Sequence, residues 1–293
     1  MTLLNTSTPR VLSIAGTDPT GGAGIQADLK SIAASGGYGM CATTALVAQN
    51  TQGVRSIFAP PTEFLQEQLA AVFDDVTVDA VKIGMLGDVE TITTVKTWLA
   101  EHPVPVVVLD PVMVASSGDR LISQDAEQAL RELVAQADVI TPNIAELAVL
   151  CESNPAQTLK DAHNQAAQLA GSTGTIVIVK GGHLTGEDAG NSAVFPDGTH
   201  THVAVTRVQT KNTHGTGCSL SSSLATRLGL ALVNGNNELS VRVLTNALAW
   251  STRWLNEAII AGEELHVGSG QGRGPVDHQA RARRLEHAAD TKP

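Results

Sequence analysis

"RVLSIAG" (residues 10–16), "TDPTGGAG" (17–24) and "IQADLKSIAAS" (25–35) run one after another near the start of the chain. The first is a short apolar run closed by glycine, and the second is built of turn formers. In the third, Ile25, Leu29 and Ile32 recur at helical spacing. The order is strand, glycine-rich loop, helix, and it repeats. "CATTALVAQNTQGV" (41–54) reads as a strand running into a polar turn, and "TEFLQEQLAAVFDD" (62–75) as a helix. "VDAVKIGML" (78–86) and "VPVVVLD" (104–110) read as strands around the helix "VETITTVKTWLAEH" (89–102), before the helix "DAEQALRELVAQA" (125–137). "DVITPN", helices through "IAELAVLC" and "TLKDAHNQAAQLAG", and the strand "TIVIVKGG" (175–182) continue the alternation. Such alternation predicts an α/β fold in three layers, a mostly parallel sheet flanked by helices on both faces.

Residues 184–211 break the pattern: their turn residues and the β-favouring "HVAVTRVQT" predict an antiparallel hairpin at a sheet edge. "NTHGTGCSLSSSLA" (212–225) opens a long helix, and "NELSVRVLTNALAWSTRWLNEAI" gives another. The charged tail "HQARARRLEHAADTKP" lacks an apolar face, so fraying is expected over about its last ten residues. No repeat or linker interrupts residues 1–293, and the expectation is one domain with an ordered core over about 10–280, with no appended domain.

Composition agrees with a buried sheet. Hydrophobic residues make up 42% and charged residues 16%, with three Trp, one Tyr and four Phe, so the core must be mostly Ala, Val, Leu and Ile. The formal charge of −10 disfavours a general affinity for nucleic acid or anionic membranes. No stretch approaches the roughly 20 apolar residues of a membrane span, and "MTLLNTSTPR" lacks the basic and apolar regions of a secretion signal. Cys41, Cys151 and Cys218 are too few and scattered for a disulfide framework or a metal-ligand set. The expectation is a soluble chain of the reducing cytoplasm.

Ligands of open α/β sheets gather beyond the carboxyl ends of the strands. The loop 16–24, Gln49 and Asn50, residues 84–86, Asp110, Asn143, Lys180 and the 213–218 motif all fall there. The helix after Gly217 aims its unpaired N–H groups back along "HGTG", suiting an anion, although Gly-Thr-Gly could equally be a tight turn with a Thr cap. Asp110 closes an apolar run and is read either as a Mg²⁺ ligand or as a cap of the next turn. Asn143 and Glu146 have capping-box spacing, which alone could explain both. Lys180 ends an apolar run before two glycines and needs an anion. The 17–24 loop follows neither the P-loop nor the dinucleotide glycine pattern. Asp28, a turn into the next helix, offers a carboxylate to a ligand or simply faces solvent.

"SIAGTDPTGGAGIQADLK", "TALVAQNTQGV", "VKIGML", "LDPVM", "TPNIAEL", "VKGGH" and "THGTGCSLSSSLA" occur in one order over about residues 10–275. Together they resemble the hydroxymethylpyrimidine/phosphomethylpyrimidine kinases of thiamine biosynthesis, within the ribokinase-like superfamily. The resemblance implies a homodimer that uses ATP and Mg²⁺, and places the pyrimidine among Gly16, Ala23, Asp28, Val47, Gln49, Met85 and Val112. It gives Mg²⁺ to Asp110 and Glu146, partly through water, and the ATP phosphates to Asn143, Lys180 and Thr213. Gly215, Thr216, Gly217 and Cys218 would form the anion hole. Cys218 takes the place where most sugar kinases of the superfamily carry an aspartate base, and the helix N-terminus should favour its thiolate. Pyridoxal or pyridoxine kinases sharing the GTGC motif are the alternative, and a non-catalytic ligand-binding relative is a distant one. Two departures stand out: "CSLSSSLA" where "CTLSAA" is usual, and the segment "GSGQGRGPVDH", whose extra Gly268 and Ser269, with Gln271 and Arg273 in place of histidines, bear on its expected contacts near the nucleotide.

Overall fold

A computed structural model describes residues 7–113, 122–184 and 186–290. The first strand, β1 (Arg10–Gly16), leads through the glycine loop into α1 (Gly24–Ala34), as the apolar pattern requires. β2 (Tyr38–Asn50) turns into β3 (Gly53–Phe58), followed by α2 (Thr62–Phe73), β4 (Ala80–Ile83), α3 (Val89–Glu101) and β5 (Val107–Leu109). Then come α4 (Gln124–Val134), β6 (Val139–Ile140), α5 (Ile144–Leu150), α6 (Leu159–Thr173) and β7 (Ile176–Lys180). β8 (Asn191–Val194) and β9 (His200–Val203) precede the long helices α7 (Thr216–Val233) and α8 (Val241–Ala261), and α9 (Ala280–Asp290) ends the described chain.

The strands form a single sheet in the order β3-β2-β1-β4-β5-β6-β7-β8-β9. β2, β1, β4, β5, β6 and β7 are mutually parallel, while β3 pairs antiparallel with β2, and β8 and β9 continue antiparallel beyond β7. Side chains alternate across the pleat. Leu12, Ile14, Val81, Ile83 and Leu109 join Leu65, Ile92, Leu133 and Leu147 of α2 to α5 on one face. Val11, Ala80, Val108 and Ile178 join Ile32, Leu224, Leu228 and Leu244 of α1, α7 and α8 on the other. Both faces are therefore covered, which explains the near-continuous apolar strand runs.

β1 and β4 are neighbours although β2 and β3 lie between them in sequence, so the crossovers diverge from this pair. A crevice opens where strand order reverses, beyond the carboxyl ends. That switch point puts Gly16 and the segment after Ile83 at the centre of one sheet edge.

The expected hairpin at 184–211 is present as β8 and β9, but a second antiparallel element, β3, was not anticipated. Its Arg55 to Phe58 are all exposed, so no buried face imprints a pattern on "GVRSIF". The C-terminal tail also differs from expectation, being helical through Asp290. Arg281 anchors α9, bonding Glu257 through Nε at 2.8 Å with its guanidinium 4.7 Å from the centroid of the Trp250 ring. These polar contacts with α8 replace the apolar face whose absence suggested fraying.

Candidate active site

Two helices begin at the switch point. α1 starts at Gly24 and α7 at Thr216, and the Gly24 N–H meets the Cys218 thiol, so the sulfur lies between both N-termini. Gly215 precedes α7 with φ +78°, and a Cβ there would come 1.7 Å from the Gly22 carbonyl oxygen. Only glycine permits this conformation and approach. Among the described residues no acceptor within the chain faces the N–H groups of Gly217 and Cys218, while Thr216 N–H makes a long 3.4 Å bond to the Thr213 carbonyl. The start of α7 thus presents, among the described residues, two N–H groups without an acceptor, with a turn at its base.

Beside it stand Asp110 and Lys180. Asp110 is 2% exposed; its Oδ1 accepts from Lys180 Nζ at 3.2 Å and from the Thr141 hydroxyl at 3.0 Å. A Cβ on Gly217 would lie 3.4 Å from Asp110 Oδ2 and 3.5 Å from Lys180 Nζ, so this pair adjoins the helix start. Burial disfavours the Lys180 ammonium, but Asp110 and Glu146 outweigh it and its pKa is raised. Asn143 and Glu146 make the full capping box, at 2.7 and 2.9 Å. Glu146 is nevertheless buried, and burial pushes its pKa up to about 7, with Lys180 opposing and Asp110 adding. Glu146 is thus both the capping partner of Asn143 and a buried carboxylate near Lys180 and Asp110.

On the acceptor side, Val47 and Met85 are buried with Ala45, and Val54 and Val112 pack against them. A Cβ on Gly16 would meet Met85 Cε at 2.6 Å, so the glycine opens the space Met85 enters. Gln49 follows a bulge after Ala48, is half-buried, and makes no side-chain hydrogen bond among the described residues. Ala23, the residue before α1, donates its N–H to Asp18 Oδ2 at 2.8 Å. Gly16, Val47, Met85 and Val112 are thereby brought into one apolar cluster.

Asp28 does not face solvent, which corrects that alternative. It is fully buried, and Lys82, also fully buried, reaches its two oxygens at 2.9 and 2.8 Å. Ser13 and Ser222 hydroxyls add bonds of 2.6 and 2.7 Å. The carboxylate is thus enclosed by one ammonium and two hydroxyls. Burial opposes the Lys82 charge, but Asp28, Cys218 and Asp110 outweigh it and raise its pKa.

The expected thiolate is corrected too. Burial pushes the Cys218 thiol up to about 11; Lys82 opposes this, and Asp28 and Asp110 add to it. The helix N-terminus does not overcome the desolvation of a thiol flanked by two carboxylates.

Sequence reading missed three side chains. Lys82 stands out as the one cation inside "VDAVKIGML". Asp18 caps the glycine loop, taking N–H bonds from Thr20, Gly22 and Ala23, and its Oδ2 lies 2.7 Å from His214 Nε2. Burial opposes ionisation of Asp18, but His214 and Thr20 hold its pKa down at about 2. His278, from the far C-terminus, reaches Ser219. The segment "GSGQGRGPVDH", expected near the nucleotide, lies against the β2–β3 turn: Arg273 N–H bonds the Thr51 carbonyl at 3.1 Å and Gln52 Nε2 bonds Ser269 at 3.1 Å.

Comparison with known proteins agrees with this geometry. The chain is 59% identical over 287 residues to the thiamine biosynthesis multifunctional protein ThiED of Corynebacterium glutamicum, covering 98% of this chain and 36% of that protein. It therefore spans about a third of that relative's length. It is 41% identical to the hydroxymethylpyrimidine/phosphomethylpyrimidine kinase of Escherichia coli K12, covering 91% and 96%. Among solved structures, the ADP complex of Bacillus subtilis pyridoxal kinase superposes with a TM-score of 0.79 at 32% identity, covering 94% of this chain and all of that one. Phosphomethylpyrimidine kinase from Clostridium difficile 630 gives 0.72 at 33%, covering 86% and 100%. Residues 18–277 match the phosphomethylpyrimidine kinase family, and with its three-layer ribokinase-like fold the chain belongs to that family.

Proposed function

We propose that this chain is an ATP-dependent kinase that phosphorylates the hydroxymethyl group of 4-amino-5-hydroxymethyl-2-methylpyrimidine and then phosphorylates the resulting monophosphate. One observation carries the reading: Gly16, against the apolar cluster of Val47 and Met85, adjoins Gly24, whose N–H meets Cys218 at the start of α7, where N–H groups await an anion. Gly16, Val47, Met85 and Val112 take the faces of the ring. Gln49 offers an amide that both donates and accepts, matching a ring nitrogen beside an exocyclic amine. The N–H groups of Gly217 and Cys218, with Gly215 and Thr216 shaping the turn, receive the transferring phosphoryl group. Lys180 neutralises ATP phosphates, and Asn143 and Thr213 offer them hydrogen bonds.

Oxygen donors and carboxylates suit Mg²⁺. Asp110 and Glu146 fit it as two buried carboxylates close to one ammonium, that of Lys180. When bound, the ion would neutralise phosphate charge. The substrate hydroxyl forms its bond to phosphorus as the bond to ADP breaks. Cys218 meets that hydroxyl as a thiol and fixes its direction, and the hydroxyl proton passes late to an oxygen of the transferred phosphoryl group, as a loose transition state permits.

The finer expectations join this reading. A second copy of the chain is the proposed partner in a homodimer, supported by Leu46, Ile57, Phe58 and Phe64 exposed around the β2–β3 sheet. Cytoplasmic residence is supported by three free cysteines, and among the described residues no helix is long and apolar enough to cross a membrane. One domain is proposed for the whole span. A second substrate reading, pyridoxal, is favoured by the 0.79 TM-score to a pyridoxal kinase.

The test is ADP release with the pyrimidine alcohol, its monophosphate and pyridoxal in parallel. Turnover of both pyrimidines above pyridoxal is expected, and a clear preference for pyridoxal overturns the substrate assignment. Cys218→Ala is expected to lower turnover; unchanged turnover removes Cys218 from the reaction.

A further inference from the structure

The segment Gly272–His278 runs from the β2–β3 turn past the glycine loop to the start of α7 without belonging to any substrate contact described above. At its start, Gly272 lies so close to the β2–β3 turn that a Cβ would come 1.9 Å from the Thr51 carbonyl oxygen. Next, the Gly274 carbonyl accepts from His214 N–H at 3.0 Å, and Pro275 bridges to His214 beside Gly22. At its end, His278 is 5% exposed, and its Nε2 lies 2.9 Å from the Ser219 hydroxyl oxygen. Ser219 follows Cys218 directly, and its Oγ lies 2.8 Å from the Gly215 carbonyl oxygen.

A serine hydroxyl has one proton. The shorter contact gives that proton to Gly215, so His278 Nε2 carries a hydrogen and donates to Ser219. The chain His278 to Ser219 to Gly215 thus ends on the residue whose left-handed conformation starts α7 and turns the free N–H groups inward. His214 holds the other side of the same turn through Asp18.

We propose that His278 is a positioning residue of the anion hole, acting through Ser219 on Gly215, and that the C-terminal segment is in this way part of the phosphoryl-transfer site. Burial supports this by pushing the His278 pKa down to about 4, which keeps the ring neutral, a fixed donor, over the working pH range. The inference rests on the kinase reading, and its test separates the two.

His278→Gln puts an amide nitrogen near the Nε2 position; His278→Asn puts it near Nδ1, and His278→Leu has no donor. With ATP and the pyrimidine alcohol, Leu and Asn are expected to lower kcat about tenfold with KM for both substrates within about twofold, and Gln to stay within about threefold of the parent, since one supporting hydrogen bond is at stake. Ser219→Ala/His278→Leu should fall no further than the worse single variant. The independent readout is the nitrogen NMR spectrum of the full chain labelled at histidine, where one ring should remain the neutral Nε2–H tautomer from about pH 5 to 8 and vanish in His278→Gln. Parent kcat in His278→Leu, Gln as poor as Leu, additive losses, or an Nδ1–H tautomer would each overturn the proposal. If the parent chain turns over none of the alcohols while the locked tautomer is present, it is the kinase reading that fails.

Discussion

Lys82→Met tests whether the buried pair under the site holds the fold. The side chain keeps its length, but Asp28 loses the contacts at 2.9 and 2.8 Å and retains only the hydroxyls of Ser13 and Ser222. Removing one partner of a buried ion pair costs about 3–5 kcal/mol, because the remaining charge is uncompensated. Against the 5–15 kcal/mol typical of folded domains, that is a large loss. Urea unfolding at neutral pH should therefore show a much lower midpoint with an unchanged slope. Lys82→Met/Asp28→Asn leaves a neutral amide that still meets both serines, and should recover to within about 1–2 kcal/mol of the parent, the scale of a neutral hydrogen bond. A single variant that loses less than about 1 kcal/mol, or a double variant no more stable than the single, would refute the reasoning.

Other outcomes follow from the same geometry. With Cys41 and Cys151 replaced by Ser, alkylation of Cys218 should keep accelerating toward about pH 11, because burial holds the thiol there; a plateau near the free-thiol range would contradict it. Asp18, held down from 3.8 to about 2, contributes about 2 kcal/mol above about pH 4 that is lost as pH falls toward 2. The stability gap between the parent and Asp18→Asn should narrow over that window when followed by urea titration. Gly215→Ala places a Cβ 1.7 Å from the Gly22 oxygen at φ +78°. It should cost about 1–3 kcal/mol or more and lower kcat more than the Asn or Leu variants of His278, and parent-like turnover would show that the tight turn is dispensable.

The alternation of apolar runs with helical spacings determined the three-layer fold, because strands buried on both faces and amphipathic helices leave local periodicities. It likewise put Gly16, Met85, Asp110, Lys180 and the GTGC turn at strand ends, and so on one edge. β3 left no such trace, since Arg55 to Phe58 face solvent. The protonation of Cys218 and the fate of Asp28 were not legible either. Both depend on Lys82 and Asp110, which approach from other strands, and on desolvation, which no local spacing records. His278 reaches Ser219 across 59 residues of chain. Only the packing of α8 and the return of the C-terminal segment over the start of α7 decide that contact, because a hydrogen bond between distant segments is set by tertiary geometry and not by the residues beside either partner.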